Sequence, residues 1–541
     1  MAASMEPHCI PFTEIPHTAA LFADALYRFP RVARFYAHDP FDAASFRAAA
    51  QAVALDATRR AAVADVLVEQ NRIFGGGRET EENIARLRSG AVAVVTGQQV
   101  GLFGGPAYSV YKALTAIRLA EKLSAEGLPA APVFWLASED HDFNEVNHCY
   151  LLDADSRWQE LRDTSSHPDG TAVARISFDR SIEELRARLA GLWPAEARTE
   201  AEKLMSSYGP GATYAQAFGQ LFQRLFAGRG LVVLDPTHPT LHALAAPLYR
   251  RALEEAEKLH ALLKERDKQL DKAGYDCQVR LRENATLLFV TEDGRRLPLR
   301  RRRNGVLQTG DEERSAAQLL AELDSAPERF SPNVLLRPVV QDWLLPTAAY
   351  VAGPHELAYF AQASALYQEL LGRMPVIYPR VSLTVVEPKV RRLLGKYQLD
   401  LPDLFRGEAA VRARLAEHHL PPRLLRQLEE SERKIEKLVA SAAGAVKRLD
   451  PTLAGAAETS RRKMLYQYSK LRAKAARAQA ERAGIVDRHA AVLTNALYPE
   501  RGLQERRMNF LSLVARHGRE VVGRLEKQMC FPCRDHQVIP L

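Results

Sequence analysis

Between residues 41 and 90, Ala, Leu, Val and Ile recur at helical spacing among Arg and Glu, so this lead-in reads as helix. The pattern then changes. AVAVV at 91–95 is a short β-branched run, TGQQVGLFGGP is a glycine-rich loop, and AYSVYKALTAIRLAEKLSAEG restores the helical period before a glycine stop. PVFWLA, from 132, is a second buried strand. Strand, glycine loop, helix and strand form a βαβ unit, which predicts a parallel sheet with a right-handed crossover. GLVVLDP at 230–236, preceded by a helix expected over 211–227, extends that sheet. Between about 284 and 310 strand-like runs alternate with Asp293-Gly294 and Asn304-Gly305, both type I′ turn signals, and predict a β-meander inserted beside the parallel sheet.

From about 388 the text becomes rich in Leu, Ala, Arg, Lys and Glu. Leu428, Ile435, Leu438, Ala442 and Leu449 fit an a/d register through Ser431 and Ala445, Asp450-Pro451 breaks it, and Met464, Tyr468, Leu471, Ala475 and Ala478 resume it. Two heptad arms around a Pro-containing turn predict an antiparallel helical hairpin. It either projects from the core or pairs with a second copy. The fold expected is therefore α/β: a Rossmann-like parallel-sheet core with an inserted β-meander and a long antiparallel helical coiled-coil domain. The expected divisions are 1–387 for the core with its helical lead-in, 388–485 for the coiled coil, and 486–541 for a segment returning to the core.

At 541 residues the chain exceeds what one hydrophobic core usually supports, in keeping with more than one unit. The composition, 47% apolar and 26% charged, is ordinary for a globular protein and excludes collagen-like or disordered classes. No apolar stretch approaches the roughly 18 residues of a membrane span, and the first residues lack a signal pattern, so a cytoplasmic protein without a membrane partner is expected. A net charge of +8 favours anionic partners, nucleic acid among them. Much of that excess, Arg295, Arg296 and the run 300–303, falls in the meander and reads as a solvated face. Five cysteines form no disulfide framework; Cys530 and Cys533 with His536 are half a zinc site, more simply ordinary thiols.

Ligands of open α/β sheets bind at the carboxyl ends of strands, where loops diverge and helix N-termini point inward. Two polar clusters fall there. The first spans Thr96, Gly97, Gln98, Gln99, Gly101 and Gly105 and enters the helix bearing Tyr108 and Lys112. Its glycines would let backbone N–H groups approach a phosphate or carboxylate, with Gln98 and Gln99 as neutral hydrogen-bonding groups and Lys112 as a cation; a purely structural turn is the alternative. The second, Ser138 to His148, holds Glu139, Asp140, His141, Asp142, Glu145 and His148. Such a density of charge needs water, a cation or a charged substrate. Close carboxylates would raise the proton affinity of His141 and suit it as a general base, with Asp140 or Asp142 in support. The spacing matches no metal signature, so no metal is assigned. Asn333, Arg337, Gln341, Asp342, Glu356, Tyr359 and Arg380 form a third polar group, and Leu503 to Arg506 with Asn509 a helical polar face.

TGQQVGLFGGPAYSVYKA, FWLASEDHDFNEVNH, FSPNVLLRPVVQDWLLPTAAYVAGPHELAYFAQ, YPRVSLTVVEP and LQERRMNF, in this order over roughly 90–510, resemble the cysteine ligases of bacillithiol biosynthesis, the BshC family. The resemblance implies a Rossmann-like core, a coiled coil used in homodimerisation, and addition of cysteine to glucosaminyl malate with an adenine nucleotide, ATP or ADP, as cofactor. It also implies that the TGQQ loop and the Glu139–Asp142 cluster line the main cavity with Gly353, Glu356 and Arg380 nearby. The chain carries neither H-x-G-H nor K-M-S-K-S, and Tyr111 stands where some members have His. Both adenylation and phosphate transfer therefore stay open as activation routes. A basic nucleic-acid-binding protein and a noncatalytic coiled-coil scaffold are the rival readings.

Overall fold

A computed structural model of the chain describes residues 6–302 and 306–541. At its centre lie five strands: β1 (Val92–Gln98), β2 (Ala130–Leu136), β3 (Val232–Leu234), β4 (Thr347–Ala352) and β5 (Val376–Pro379). They are all parallel, in the order β5-β4-β1-β2-β3. Parallel strands covered by helices on both faces need apolar, often β-branched residues throughout, and β2 and β4 are buried along their whole length. The chain winds outward from β1 through β2 to β3, then crosses back to β4 and β5. The strand order therefore reverses between β1 and β4, leaving a crevice at their carboxyl ends.

Helix α1 (Tyr108–Ala125) connects β1 to β2, and α2 (Pro354–Leu370) connects β4 to β5. The helical lead-in is present as Ala43–Gln51, Ala57–Phe74 and Arg78–Arg88. Asp56 caps the second of these, accepting a hydrogen bond from Arg59 N, and Gly75 ends it in the left-handed region at φ 81°. The helix expected over 211–227 runs Tyr214–Leu225 behind a Thr213–Gln216 capping box.

The meander forms a separate antiparallel sheet from 285 to 314 with Phe330–Pro332 added at its edge. Asp293 (φ 47°) and Gly294 (φ 78°) both take the left-handed conformation that the type I′ turn requires. The second expected turn, Asn304-Gly305, lies outside the described residues. A small third sheet joins His8–Ile10, His536–Pro540 and Ser382–Val386.

The hairpin consists of α3 (Pro422–Leu449) and α4 (Ala454–Ala483), with Asp450 capping Thr452 N at 2.8 Å in the turn. Its register departs from the expected heptads. The half-buried row facing the other arm runs through Leu425, Leu428, Ile435 and Val439 on α3, and Leu465, Tyr468, Arg472 and Ala475 on α4. Leu438, Leu449, Met464 and Leu471 are instead 70%, 83%, 51% and 57% exposed. At about 100° per residue in a straight helix, Val439 lies roughly 20° round from Leu428 and Leu438 roughly 80°, so the contact row passes through Val439 and leaves Leu438 outside.

Candidate active site

A cavity of about 450 Å³ opens at the carboxyl ends of β1, β2 and β4, at the reversal of strand order. Six stretches of chain supply its wall: Gly97 to Gln99, Tyr108 and Lys112 of α1, Trp135 to His141, the meander's Phe289 and Arg296, the 332–337 turn, and the 350–359 strand–helix junction. Arg380 and Arg506 close it.

Several expected residues meet here. The strand β1 runs further than the apolar run suggests, carrying Thr96, Gly97 and Gln98 within the sheet. A Cβ on Gly97 would stand 3.0 Å from the Trp135 carbonyl oxygen, so the close pairing of β1 with β2 requires glycine. Gln99 Nε2 donates to Asp140 Oδ2 at 2.8 Å and also to Glu145, joining the two strand-end clusters across the sheet edge. Gln98, Tyr108, Lys112, Glu139, His141, Gly353, Glu356 and Arg380 all line the cavity.

Thr96, Gly101 and Gly105 do not. Thr96 Oγ1 donates to the Val351 carbonyl at 2.9 Å, fastening β1 to β4. In the glycine loop Gly101 N donates to Gln99 O at 2.9 Å, Gly104 N to Gly101 O and to the Tyr208 hydroxyl, both at 3.0 Å, and Gly105 N to Leu102 O at 3.1 Å. Asn509 Nδ2 pins the loop from outside, donating to Phe103 O and Gly105 O at 2.9 Å each. These N–H groups are spent on the fold, so the expected anion cradle is corrected to a structural turn. Asp142 is likewise a cap, accepting from Glu145 N at 3.3 Å at the start of Phe143–Val146.

Lys112 is buried and donates to Gly97 O at 2.6 Å and Gln98 Oε1 at 2.9 Å while pairing with Glu356. Burial pushes its ammonium down and Glu356 pushes back. Burial alone would raise the Glu356 carboxyl, but Lys112, the Gly353 N–H at 2.8 Å and the Tyr350 hydroxyl at 2.7 Å hold it below the ordinary range. This pair is a charge-neutral floor. Arg380 is fixed by Glu505 at 2.7 Å and by the Val381 carbonyl at 2.9 Å.

Arg296 does not lie on a solvated face. It is buried, with its guanidinium 3.8 Å over the Phe289 ring, and donates to Ser331 Oγ at 2.9 Å and Pro332 O at 2.7 Å. Its remaining arm stands 3.2 Å from His141 Nδ1. A guanidinium can only donate, so Nδ1 accepts and the neutral ring carries its proton on Nε2. Burial, followed by Arg296, lowers the proton affinity of His141 and outweighs Asp140 and Asp142. The expected rise is thus reversed, and His141 presents a donor rather than a free lone pair. Glu139 is the group whose affinity rises: burial pushes its carboxyl up to about 7, with Arg296 opposing and Asp235 assisting.

Sequence reasoning missed Arg296, Phe289, Trp135 and His355 as cavity residues. The meander's turn signals were visible, but nothing local shows that its sheet folds over the strand ends. Of the third polar group, Asn333, Arg337, Glu356, Tyr359 and Arg380 line the cavity, whereas Gln341 and Asp342 bond each other at 2.9 Å in the core. On the C-terminal polar face Arg506 reaches the cavity, while Gln504 brackets Val385, accepting from its N–H and donating to its carbonyl, each at 2.9 Å. Among the described residues no group of three or more His, Cys, Asp or Glu side chains is arranged to hold a metal ion.

Residues 5–381 match the family description "Bacillithiol biosynthesis BshC, N-terminal Rossmann-like domain", and residues 383–541 match "Bacillithiol biosynthesis BshC, C-terminal coiled-coil domain". The chain is 42% identical to a protein of Koribacter versatilis, covering 99% of this chain and 100% of that one. It is 39% identical to one of Solibacter usitatus, with 98% and 99% covered, and 33% identical to one of Salinibacter ruber, with 96% of each covered. All three relatives are named as candidate cysteine ligases, BshC.

Proposed function

Because the chain belongs to the BshC family of bacillithiol biosynthesis, we propose that it is a cysteine ligase that joins the carboxyl of cysteine to the amine of glucosaminyl malate. The observation that carries this reading is the charge of the cavity wall. Of five cations, Lys112, Arg296, Arg337, Arg380 and Arg506, Lys112 is neutralised by Glu356 and Arg380 by Glu505, leaving Arg296, Arg337 and Arg506 to face Glu139 and Asp140. The three remaining guanidinium groups suit an acidic acceptor such as one bearing a malate, because guanidinium groups bind carboxylates in forked geometry. Glu139, half-ionised near neutrality, takes the proton of the attacking amine, and the Nε2–H of His141 donates to an oxygen at the reacting carboxyl. Asp140, held by Gln99, and the Lys112–Glu356 pair position these groups.

Amide formation in water needs an activated carboxyl, and an adenine nucleotide supplies that activation when bound. With the Gly101, Gly104 and Gly105 N–H groups already used, the cavity's arginines are the groups suited to phosphate. We also propose that residues 388–485 act as the homodimerisation unit of a cytoplasmic enzyme. The test of the activity is direct: purified protein incubated with cysteine, glucosaminyl malate and ATP should form bacillithiol, with AMP or ADP identifying the activation route. Failure to form it, with the substrates recovered intact, overturns the reading.

A further inference from the structure

Two ends of the chain bring three thiols together, none of them on the wall of the cavity described above. Cys9 lies in the strand His8–Ile10, which pairs with His536–Pro540 so that Cys9 stands opposite Gln537. The Gln537 side chain then holds the Cys530 backbone from both sides, accepting from its N–H at 2.7 Å and donating to its carbonyl at 3.0 Å. This strap folds the 530–535 turn back over the strand edge, and Cys9 Sγ and Cys533 Sγ meet at 3.8 Å despite 524 residues of separation. Cys9 is exposed and Cys533 half-buried, so one thiol of the pair is open to solvent and its partner sits behind it. His536, the fourth ligand a zinc site would need, is turned into the sheet between the Ser382 and Thr384 hydroxyls at 2.7 and 2.8 Å.

We propose that Cys9 and Cys533 form a thiol–disulfide exchange site whose oxidant is a low-molecular-weight disulfide. Cys9 Sγ, as thiolate, attacks one sulfur of R–S–S–R; the R–S–S–Cys9 bond forms, and RS⁻ leaves and takes up the proton that Cys9 gave up. Cys533 Sγ then attacks Cys9 Sγ, releasing the second RSH. Two protein thiols are oxidised to one disulfide and one small disulfide is reduced to two thiols, so atoms and electrons balance. Burial holds the Cys9 thiol above its ordinary range, with Cys530 and Asp535 adding to that and Cys533 opposing, and it pushes Cys533 up to about 12. Both effects lower the thiolate fraction, so the pair exchanges slowly, as a reversible couple rather than as an oxidoreductase centre. The site is independent of the ligase reading and stands whether or not that activity is found.

The test uses the full-length protein, reduced, desalted and incubated with oxidised glutathione. It should lose two of its five thiols, and peptide mapping should join the Cys9 peptide to the Cys533 peptide, with dithiothreitol restoring both. Cys530→Ser should form the same cross-link, whereas Cys533→Ser should stop at a glutathione adduct on Cys9. A Cys530–Cys533 bridge as the sole product, a persistent adduct on Cys9 of the unaltered protein, or stoichiometric zinc shielding these thiols from alkylation would each overturn the proposal.

Discussion

Glu139 sits at the carboxyl end of β2 with its side chain shielded from water, and that burial pushes its carboxyl from an ordinary 4.5 up to about 7. The unfolded chain ionises this group first, so between those two values the folded protein holds a proton that the unfolded chain has lost. Stability therefore falls as pH rises through that window and levels off above it, by at most about 3 kcal/mol from this group. Urea unfolding from pH 4.5 to 8 should show this decline in the unaltered protein and a shallower one in Glu139→Gln. As the base of the proposed reaction, Glu139 also sets a turnover that rises with pH through about 7. Glu139→Gln should flatten that profile and lower turnover by roughly 10²- to 10⁴-fold. His141 separates two roles. Asn keeps an N–H donor, so His141→Asn should cost about tenfold if the ring acts as a donor, against the roughly 10²- to 10⁴-fold expected of a lost general base. A loss in the larger range, with binding unchanged, would restore His141 as the base.

At the scale of elements, the β1–loop–α1 unit was legible from its β-branched run and glycine stop, but the use of its glycines was not. The Gly104 N–H donates to the Tyr208 hydroxyl and the Phe103 and Gly105 carbonyls accept from Asn509, residues that lie far along the chain, and no local pattern announces such partners. Asn509→Ala would leave two buried carbonyls without their donor, at about 1–3 kcal/mol each, and a lowered midpoint in thermal unfolding should report it. The hairpin was equally legible as two arms, and its inner register was not, because a heptad pattern read on paper does not show whether the helices supercoil. Of the ten large apolar residues exposed among the described residues, eight lie between Leu424 and Leu471, on or between the two arms. Apolar surface on that scale favours cover by a second copy. Light scattering should find a dimer, and Leu438→Asp, on the outer face, should give a monomer with its helical circular dichroism intact. Leu465→Asp, on the inner row, should instead weaken the hairpin itself.

Over the whole molecule, the reversal of strand order between β1 and β4 decides where the cavity lies, and that reversal could not be read until β4 and β5 were placed beside β1. The 285–314 sheet and the C-terminal segment then close over the crevice, which is why Arg296 and Arg506 reach it from opposite parts of the chain. This arrangement also determines what the net charge of +8 can do. Nucleic acid binds through a run of free cations that track phosphates, and its affinity falls steeply with salt as counterions are displaced. Among the described residues several of the meander's arginines are spent within the protein: Arg296 is buried in the cavity wall, Arg295 donates to Asp169 O at 2.9 Å, Arg301 to Glu283 O at 3.1 Å, Arg302 to Gln308, and Arg314 pairs with Glu292, Glu312 and Glu322. A protein that spends these cations internally should hold random duplex DNA no more tightly than a dissociation constant of roughly 10⁻⁴ M at physiological salt, the weak end of nonspecific binding. Fluorescence anisotropy with a labelled duplex across a salt series measures this. Micromolar affinity that collapses steeply with added salt would mean that the cationic surplus is organised for phosphates on the surface, and would return nucleic acid to the set of partners.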